Sequence, residues 1–383
     1  MRVNYRKEII ITQYKQKPLL MYQIDNKPYD LFVGDDIQED KLAVGDIYVG
    51  RVQNIVQNIN AAFIEVKKGV VCYLPMSECG QHKLHMGDDL VVQVKKSAVK
   101  TKQAVVTKNI ELVGTYCVVS LYDTKKAISK KITDQEKREQ LQYLLSKFEG
   151  NDYGIVIRTN AEQADLDLIY AECQKITSEL KEMIRYSKYK TCFTCLRKAD
   201  PFYLSFIRDC RPEEYDRIVT DDEKTFEELT ERNVEKLEQY NDDNYPLQKL
   251  IGLETKIEKA LAKRVWLKSG GNLVIEPTEA LTVIDVNTGK AIDGRRNKET
   301  TFFKINCEAA REVARQMRLR SMSGIILVDF IDMQKKEHRQ DLMELLQEEL
   351  KRDKTRTALV DITKLGLVEI TRMKKNPPLW EMI

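Results

Sequence analysis

Histidine is scarce in this 383-residue chain, occurring only as His82, His85 and His338. Chemistry built on clustered or paired imidazoles therefore has little material to draw on. Long apolar runs are absent too. No uncharged apolar stretch reaches the ~18 residues that a membrane helix needs, so no spanning segment and no membrane partner is expected. Near the start, Ile9, Ile10 and Ile11 form an apolar stretch too short for a secretory signal, and a cytoplasmic protein is expected. The eight cysteines are scattered. One pair, Cys192 and Cys195, has metal or redox spacing, and no second pair completes a four-ligand zinc site, so most of the cysteines are expected to be small buried apolar residues, with an intermolecular half-site as the alternative for that pair. A net charge of +3 from 63 basic and 60 acidic residues says little by itself, because a balanced total can still hold a basic groove.

The length predicts two to four domains. Residues 8–13 and 19–24 read as a short strand pair. From Gly45 the chain turns dense in β-branched residues with Gly and Asn between them, which predicts several short strands and a small barrel. Residues 109–200 mix strand and helix. Leu141, Leu144 and Leu145 mark a helix that stops at Gly150, and Leu166, Ile169 and Ile176 mark another over 164–185. The acidic stretch 211–246 reads as a solvated connector. A helix is predicted over 247–266, with Leu250, Ile257, Leu261 and Val265 on one face and the Ser-Gly-Gly at 269–271 as its stop. Residues 272–372 alternate strand, helix, strand, helix, strand, the order of an α/β unit.

Two strands of that unit carry acids. In LTVIDVN (281–287), period two puts Leu281, Val283, Asp285 and Asn287 on one face. In IILVDFI (325–331), Asp329 shares a face with Ile325 and Leu327, whereas Asp332 points away if the strand continues. The helix expected over 307–320 between them makes the strands parallel neighbours, with Asp285 and Asp329 at matching carboxyl ends. Carboxylates enclosed by apolar strands are costly unless satisfied, and a hard divalent cation such as magnesium satisfies them with oxygen ligands. Asn287 could orient Asp285 or a water. Arg311, Arg315 and Arg318 form a stripe on the intervening helix, suited to a phosphate backbone. No histidine lies near the acids in sequence. Metal-activated water therefore fits better than a histidine pair, and it would leave a 5′-phosphate and a 3′-hydroxyl. In the barrel region Tyr48, Phe63 and Tyr73 stand among Arg51, Lys67, Lys68, Lys95, Lys96, Lys100 and Lys102, a pattern that suits stacked bases and neutralised phosphates. Arg158 and Thr159 follow a strand and could form a phosphate pocket.

Through EALTVIDVNTGK (279–290), NCEAAREVARQMRLRSMSGIILVDFIDM (306–333) and KLGLVEITR (364–372), the chain resembles the ribonuclease E/G family over essentially its whole length. The resemblance implies an α+β multidomain fold. An RNase-H-like subdomain is expected at 1–35 and 204–260, an inserted OB-fold barrel at 36–108, a 5′-sensor domain at 109–203, and a deoxyribonuclease-I-like α/β catalytic domain at 261–383. It implies that Asp285 and Asp329 are magnesium ligands supported by Asn287. Arg158 and Thr159, with Gly114 and Val118, would line a 5′-monophosphate pocket, and Phe63, Tyr73 and Lys102 would contact RNA. Tyr73 stands where Phe is expected, which preserves stacking.

The implied activity is a magnesium-dependent endoribonuclease acting on single-stranded messenger and ribosomal precursor RNA, with preference for 5′-monophosphorylated ends. The alternatives are a catalytically silent RNA-binding protein of the same fold and a nuclease that prefers DNA. The cysteine pair that shares zinc between two subunits in this family does not occur in the chain, so no structural zinc link is expected within it, and a homodimer or larger assembly has no support from that motif. The absence of a long scaffolding tail points to the shorter, ribonuclease G-like type.

Overall fold

The computed structural model describes residues 6–34, 42–79, 83–98, 102–148, 152–289 and 298–383. His82, Lys100, the helix stop at Gly150 and the boundary expected at 35/36 lie outside the described residues. The chain divides into two units, Met1–Asp36 with Pro212–Ile383, and Ile37–Arg211.

The first unit contains two sheets. One has the strand order Leu237–Gln239, Arg217–Thr220, Lys7–Tyr14, Lys17–Ile24, Lys27–Val33. Its hairpins turn on Lys15-Gln16 (φ 48° and 66°) and Asp25-Asn26 (φ 46° and 63°). Paired left-handed residues are the backbone that matches a two-residue turn to the twist of its strands. Ile9, Ile10 and Ile11 are all buried, so the central strand is covered on both faces.

The acidic stretch 211–246 is not the solvated connector expected. It supplies Arg217–Thr220, parallel to Lys7–Tyr14, then the helix Glu223–Glu231 and the strand Leu237–Gln239. Ile218, Val219 and Leu229 anchor it in the interior, and Asp222 caps the helix by accepting from the Thr225 amide at 2.9 Å. The helix expected over 247–266 is also interrupted. It runs Leu247–Leu250, breaks at left-handed Gly252 (φ 61°), resumes as Leu253–Leu261, and gives way to the strand Arg264–Trp266. Leu253, Ile257 and Ala260 pack on the first sheet while Leu250 faces solvent. The Ser-Gly-Gly turn instead joins Arg264–Trp266 to the antiparallel Asn272–Pro277.

The second sheet has the order Arg264–Trp266, Asn272–Pro277, Leu281–Asn287, Gly324–Asp329, Val368–Arg372, Thr357–Ile362. Leu281–Asn287 and Gly324–Asp329 are parallel, joined through the helix Lys298–Leu319. That helix and Lys336–Lys351 cover one face: Ile305, Ala309, Val313 and Met317 of the first and Leu342 and Leu346 of the second pack on Ile284, Val286, Ile326 and Val328.

In the second unit, Ile47–Val56, Ala61–Lys67, Val70–Pro75, Val105–Thr107 and Asp89–Lys96 form a five-stranded OB-like barrel, closed by pairing of Asp89–Lys96 with Ile47–Val56. Its interior holds Val52, Ile64, Leu74, Val92 and Val106. A four-stranded sheet follows, Lys126–Ile128, Tyr153–Ile157, Cys117–Leu121, Glu111–Val113, packed on the helices Gln135–Ser146 and Leu166–Ser187.

Candidate active site

Asp285 stands opposite Asp329 in the register of two adjoining parallel strands. Such strands run ~4.8 Å apart, so two side chains leaving the same face at the same level share one patch. The face is fixed by alternation. Ile284, Val286 and Val328 point into the helix-covered core, which sends Asp285, Asn287 and Asp329 to the opposite side. The acids are therefore not enclosed by apolar residues, as the sequence pattern suggested. Asp285 is half-buried and Asp329 exposed. What presses on Asp329 is partial burial together with like charge. Its carboxyl is held above the usual range by desolvation and by the carboxylates of Asp285 and Asp332. The Asn287 side chain donates from Nδ2 to Oδ2 of Asp285 at 2.7 Å and fixes that carboxylate.

Two residues of this patch were not legible in the sequence. Asp332 is expected to point away only if its strand continues; the strand ends at Asp329, and the turned chain leaves the Asp332 carboxylate acting on Asp329. Asn306, fully buried, donates to the Ile331 carbonyl at 2.7 Å and accepts from the Ile331 amide at 3.0 Å, which clamps the turn directly after Asp329. No spacing rule links 306 to 331.

The donor set fits magnesium. Among the described residues no group of three or more His, Cys, Asp or Glu side chains forms a metal cage. Magnesium takes one or two carboxylates and keeps several waters, whereas structural zinc needs four protein ligands. The mutual repulsion of Asp285 and Asp329 is the kind of strain that a shared cation relieves.

The guanidinium row expected beside the acids is not formed. The helix carrying it packs on the opposite face of the sheet. Arg315 is held by Glu312 and by the Pro28 carbonyl, and Arg318 by Asp30, both on the strand Lys27–Val33. These two arginines tie the helix to the first sheet. Arg311 is exposed, with Glu349 at 4.0 Å. His338 meets Glu299 at 3.2 Å and stacks on Phe303, and His85 pairs with Asp88, so both described histidines are engaged with other carboxylates.

In the second unit, Arg158 is gripped from three sides. Its guanidinium donates to the carbonyls of Gly114 and Thr115 and pairs with Asp209. The Thr159 hydroxyl lies 3.0 Å from that of Ser129. Gly114 is needed for close approach: a Cβ there would sit 2.7 Å from the Glu172 carboxyl, which accepts from the amides of Thr115, Tyr116 and Cys117. Val118 sits across from Val156, one strand over from Arg158. Asp209, Ser129 and Glu172 carried no signal in the sequence.

On the barrel, Phe63 and Tyr73 face each other across two strands, with ring centroids 6.1 Å apart at 77°. Lys102 is exposed and lies two residues before Ala104, whose carbonyl accepts from the Tyr73 amide. Tyr48, expected on the same surface, is a core residue at 1% exposure with its hydroxyl on Asp46. Arg51 and Lys95 are paired with Asp89 and Glu78. All eight cysteines are free thiols; Cys192 and Cys195 are half-buried, the latter on a strand paired to the barrel.

Residues 111–375 match the sequence model of the Ribonuclease E/G family. Ribonuclease G of Escherichia coli (strain K12) is 34% identical over 365 residues, covering 86% of this chain and 73% of that protein. Ribonuclease G of Haemophilus influenzae is 32% identical over 362 residues, covering 88% and 73%. Ribonuclease E of Synechocystis is 30% identical over 404 residues, covering 98% of this chain and 58% of that protein. No helix among the described residues is long and apolar enough to cross a membrane.

Proposed function

The chain belongs to the ribonuclease E/G family, and from that premise we propose that it is a magnesium-dependent endoribonuclease cutting single-stranded RNA in cytoplasmic processing and decay. That it is an endoribonuclease follows from the family. The metal, the strand preference and the end preference are the proposal. The observation that carries it is the in-register pairing of Asp285 with Asp329 on one face of the sheet. We read 1–35 with 204–260 as an RNase-H-like subdomain, 36–108 as the OB-fold, 109–203 as the 5′-sensor and 261–383 as a deoxyribonuclease-I-like catalytic domain.

When bound, magnesium supplies Lewis acidity, acidifying water and offsetting charge on the phosphoryl oxygens. Asp285 and Asp329 present carboxylate oxygens on one side of the sheet, and Asn287 holds Asp285 in orientation. Asn306 fixes the turn beyond Asp329, so the acid keeps its place as RNA loads. Phe63 and Tyr73 offer ring faces to unpaired bases, each stack contributing about 1–3 kcal/mol, and Lys102 adds positive charge for the phosphates. Arg158 and Thr159 receive the terminal 5′-phosphate, which exchanges with Asp209 as the guanidinium's anion.

Two experiments test this. With matched RNA and DNA oligonucleotides, cleavage of RNA should stop in EDTA and return with excess magnesium, and DNA should stay intact; cutting that persists in the chelator, or faster cutting of DNA, rejects the reading. For the sensor, Arg158→Gln should bring the rate ratio of 5′-monophosphate to 5′-hydroxyl substrates close to one. An unchanged ratio removes Arg158 from end recognition.

A further inference from the structure

The strand Tyr153–Ile157 runs from a cleft at its start to Arg158 beyond its end. Five residues of strand put the two about 17 Å apart. The cleft measures about 540 Å³, a volume suited to a nucleotide-sized ligand. Lys147 and Phe148, just past the helix Gln135–Ser146, line one side, and the helix Leu166–Ser187 lines the other.

Three features point to the ligand. The first is charge: Lys147, Lys175 and Lys181 line the cleft and no carboxylate does, among the described residues. The second is that two of these ammonium groups are set against aromatic rings. Lys181 Nζ lies 4.4 Å from the Tyr153 ring centroid, and Lys147 Nζ lies 4.9 Å from that of Tyr143, outside the cleft, and 5.7 Å from that of Tyr170, which packs on Phe148 at 5.2 Å. Phe148 and Tyr153 are 7% and 5% exposed, so of the three rings lining the cleft Tyr170, half-buried, is the one open to a base, and a ring beside lysines is the combination that holds a base together with its phosphate. The third is Thr177, which lines the cleft at 5% exposure while its hydroxyl has no hydrogen-bond partner among the described residues. A buried hydroxyl without a partner calls for an explanation, and a ligand or water atom reaching it from the cleft would supply the bond.

We propose that this cleft binds one phosphate-bearing nucleotide unit of the RNA strand, as a contact distinct from the Arg158 patch and from the barrel aromatics. The inference rests on the ribonuclease reading above.

Binding of a single-stranded oligoribonucleotide to the full chain, followed by fluorescence anisotropy in EDTA, tests it. A 5′-hydroxyl end keeps the Arg158 patch out of the measurement. Lys147→Ala with Lys181→Ala should weaken binding about tenfold and flatten the slope of log affinity against log salt by about 0.7, the share of one phosphate contact on a single strand. Thr177→Val, which changes no charge, should weaken binding about threefold. Lys224→Ala with Lys249→Ala, exposed lysines of the other unit, serve as the charge-matched control and should cost less than twofold. Equal losses in both lysine pairs, or no loss in the cleft variants, overturn the proposal. So does saturable binding of adenosine 5′-monophosphate that the cleft variants abolish while their RNA affinity stays at the wild-type value, because the cleft would then serve a free nucleotide. A wild-type chain that neither binds nor cuts RNA removes the ribonuclease reading itself; one that does both, with unaltered cleft variants, removes only the cleft.

Discussion

Replacing Asp285 or Asp329 by asparagine is expected to leave RNA bound and uncut, with turnover down about a thousandfold or more. The size follows from the role. A cation that offsets phosphoryl charge supplies several kcal/mol at the transition state, and about 4 kcal/mol is a factor of 10³. The fold should survive both changes. Asn287 can still donate to an amide oxygen at position 285, and Asp329 is exposed at its strand end. The sign of the stability effect separates this account from a structural role for Asp329. Its carboxyl is pushed above its ordinary range, so ionisation works against the folded state, and that cost is present once the pH exceeds the group's native value. In chelator at neutral pH, Asp329→Asn should therefore melt no lower than the wild type. A marked drop in melting temperature would make the acid structural. Anisotropy, single-turnover cleavage and thermal melts on the same preparations read all three quantities.

The second large effect is on stability. Arg372→Met should cost the first unit about 3–5 kcal/mol, because it strands a buried carboxylate. Arg372 and Asp353 are 6% and 5% exposed and joined by two hydrogen bonds, 2.7 Å from Nε and 3.3 Å from Nη2. The same guanidinium donates to the Met322 carbonyl at 2.9 Å, just before the strand Gly324–Asp329. Asp353 also accepts from the Thr355 amide and the Thr357 hydroxyl, so one cluster secures the edge strand and the entry to the acid strand together. Urea unfolding followed by tryptophan fluorescence reports on this unit, because both tryptophans, Trp266 and Trp380, lie in it. Pairing Arg372→Met with Asp353→Leu should recover much of the loss, since removal of both charges leaves no unpaired ion. A single variant within 1 kcal/mol of wild type, on the order of an exposed ion pair, would show the cluster to be incidental.

The acid pair was legible because it depends on local rules. Period two fixes the face, and strand-helix-strand order makes the two strands parallel neighbours, which is enough to bring 285 and 329 level. The arginine stripe shows where such rules end. Positions 311, 315 and 318 do share a helix face, but helical spacing cannot say which neighbour that face meets. For Arg315 and Arg318 the neighbours are Pro28 and Asp30, nearly 300 positions away, while Arg311 stays exposed. Tyr48 departs from the expected surface for a related reason: in a barrel the aromatic at one register faces the interior and the next faces solvent, and Asp46 satisfies its hydroxyl inside. The stretch 211–246 looked unstructured because its few apolar anchors are hidden among acids that cap and face water. Gly252 broke a helix whose periodicity ran straight through it.

The central claim, that Asp285 and Asp329 hold one divalent cation together, is tested most directly by counting manganese. Electron paramagnetic resonance titration of the full chain with Mn²⁺, a magnesium substitute with the same taste for oxygen ligands, should find one site per chain in the wild type and lose it in Asp285→Asn and in Asp329→Asn alike. Retention of that site in either variant would contradict the account.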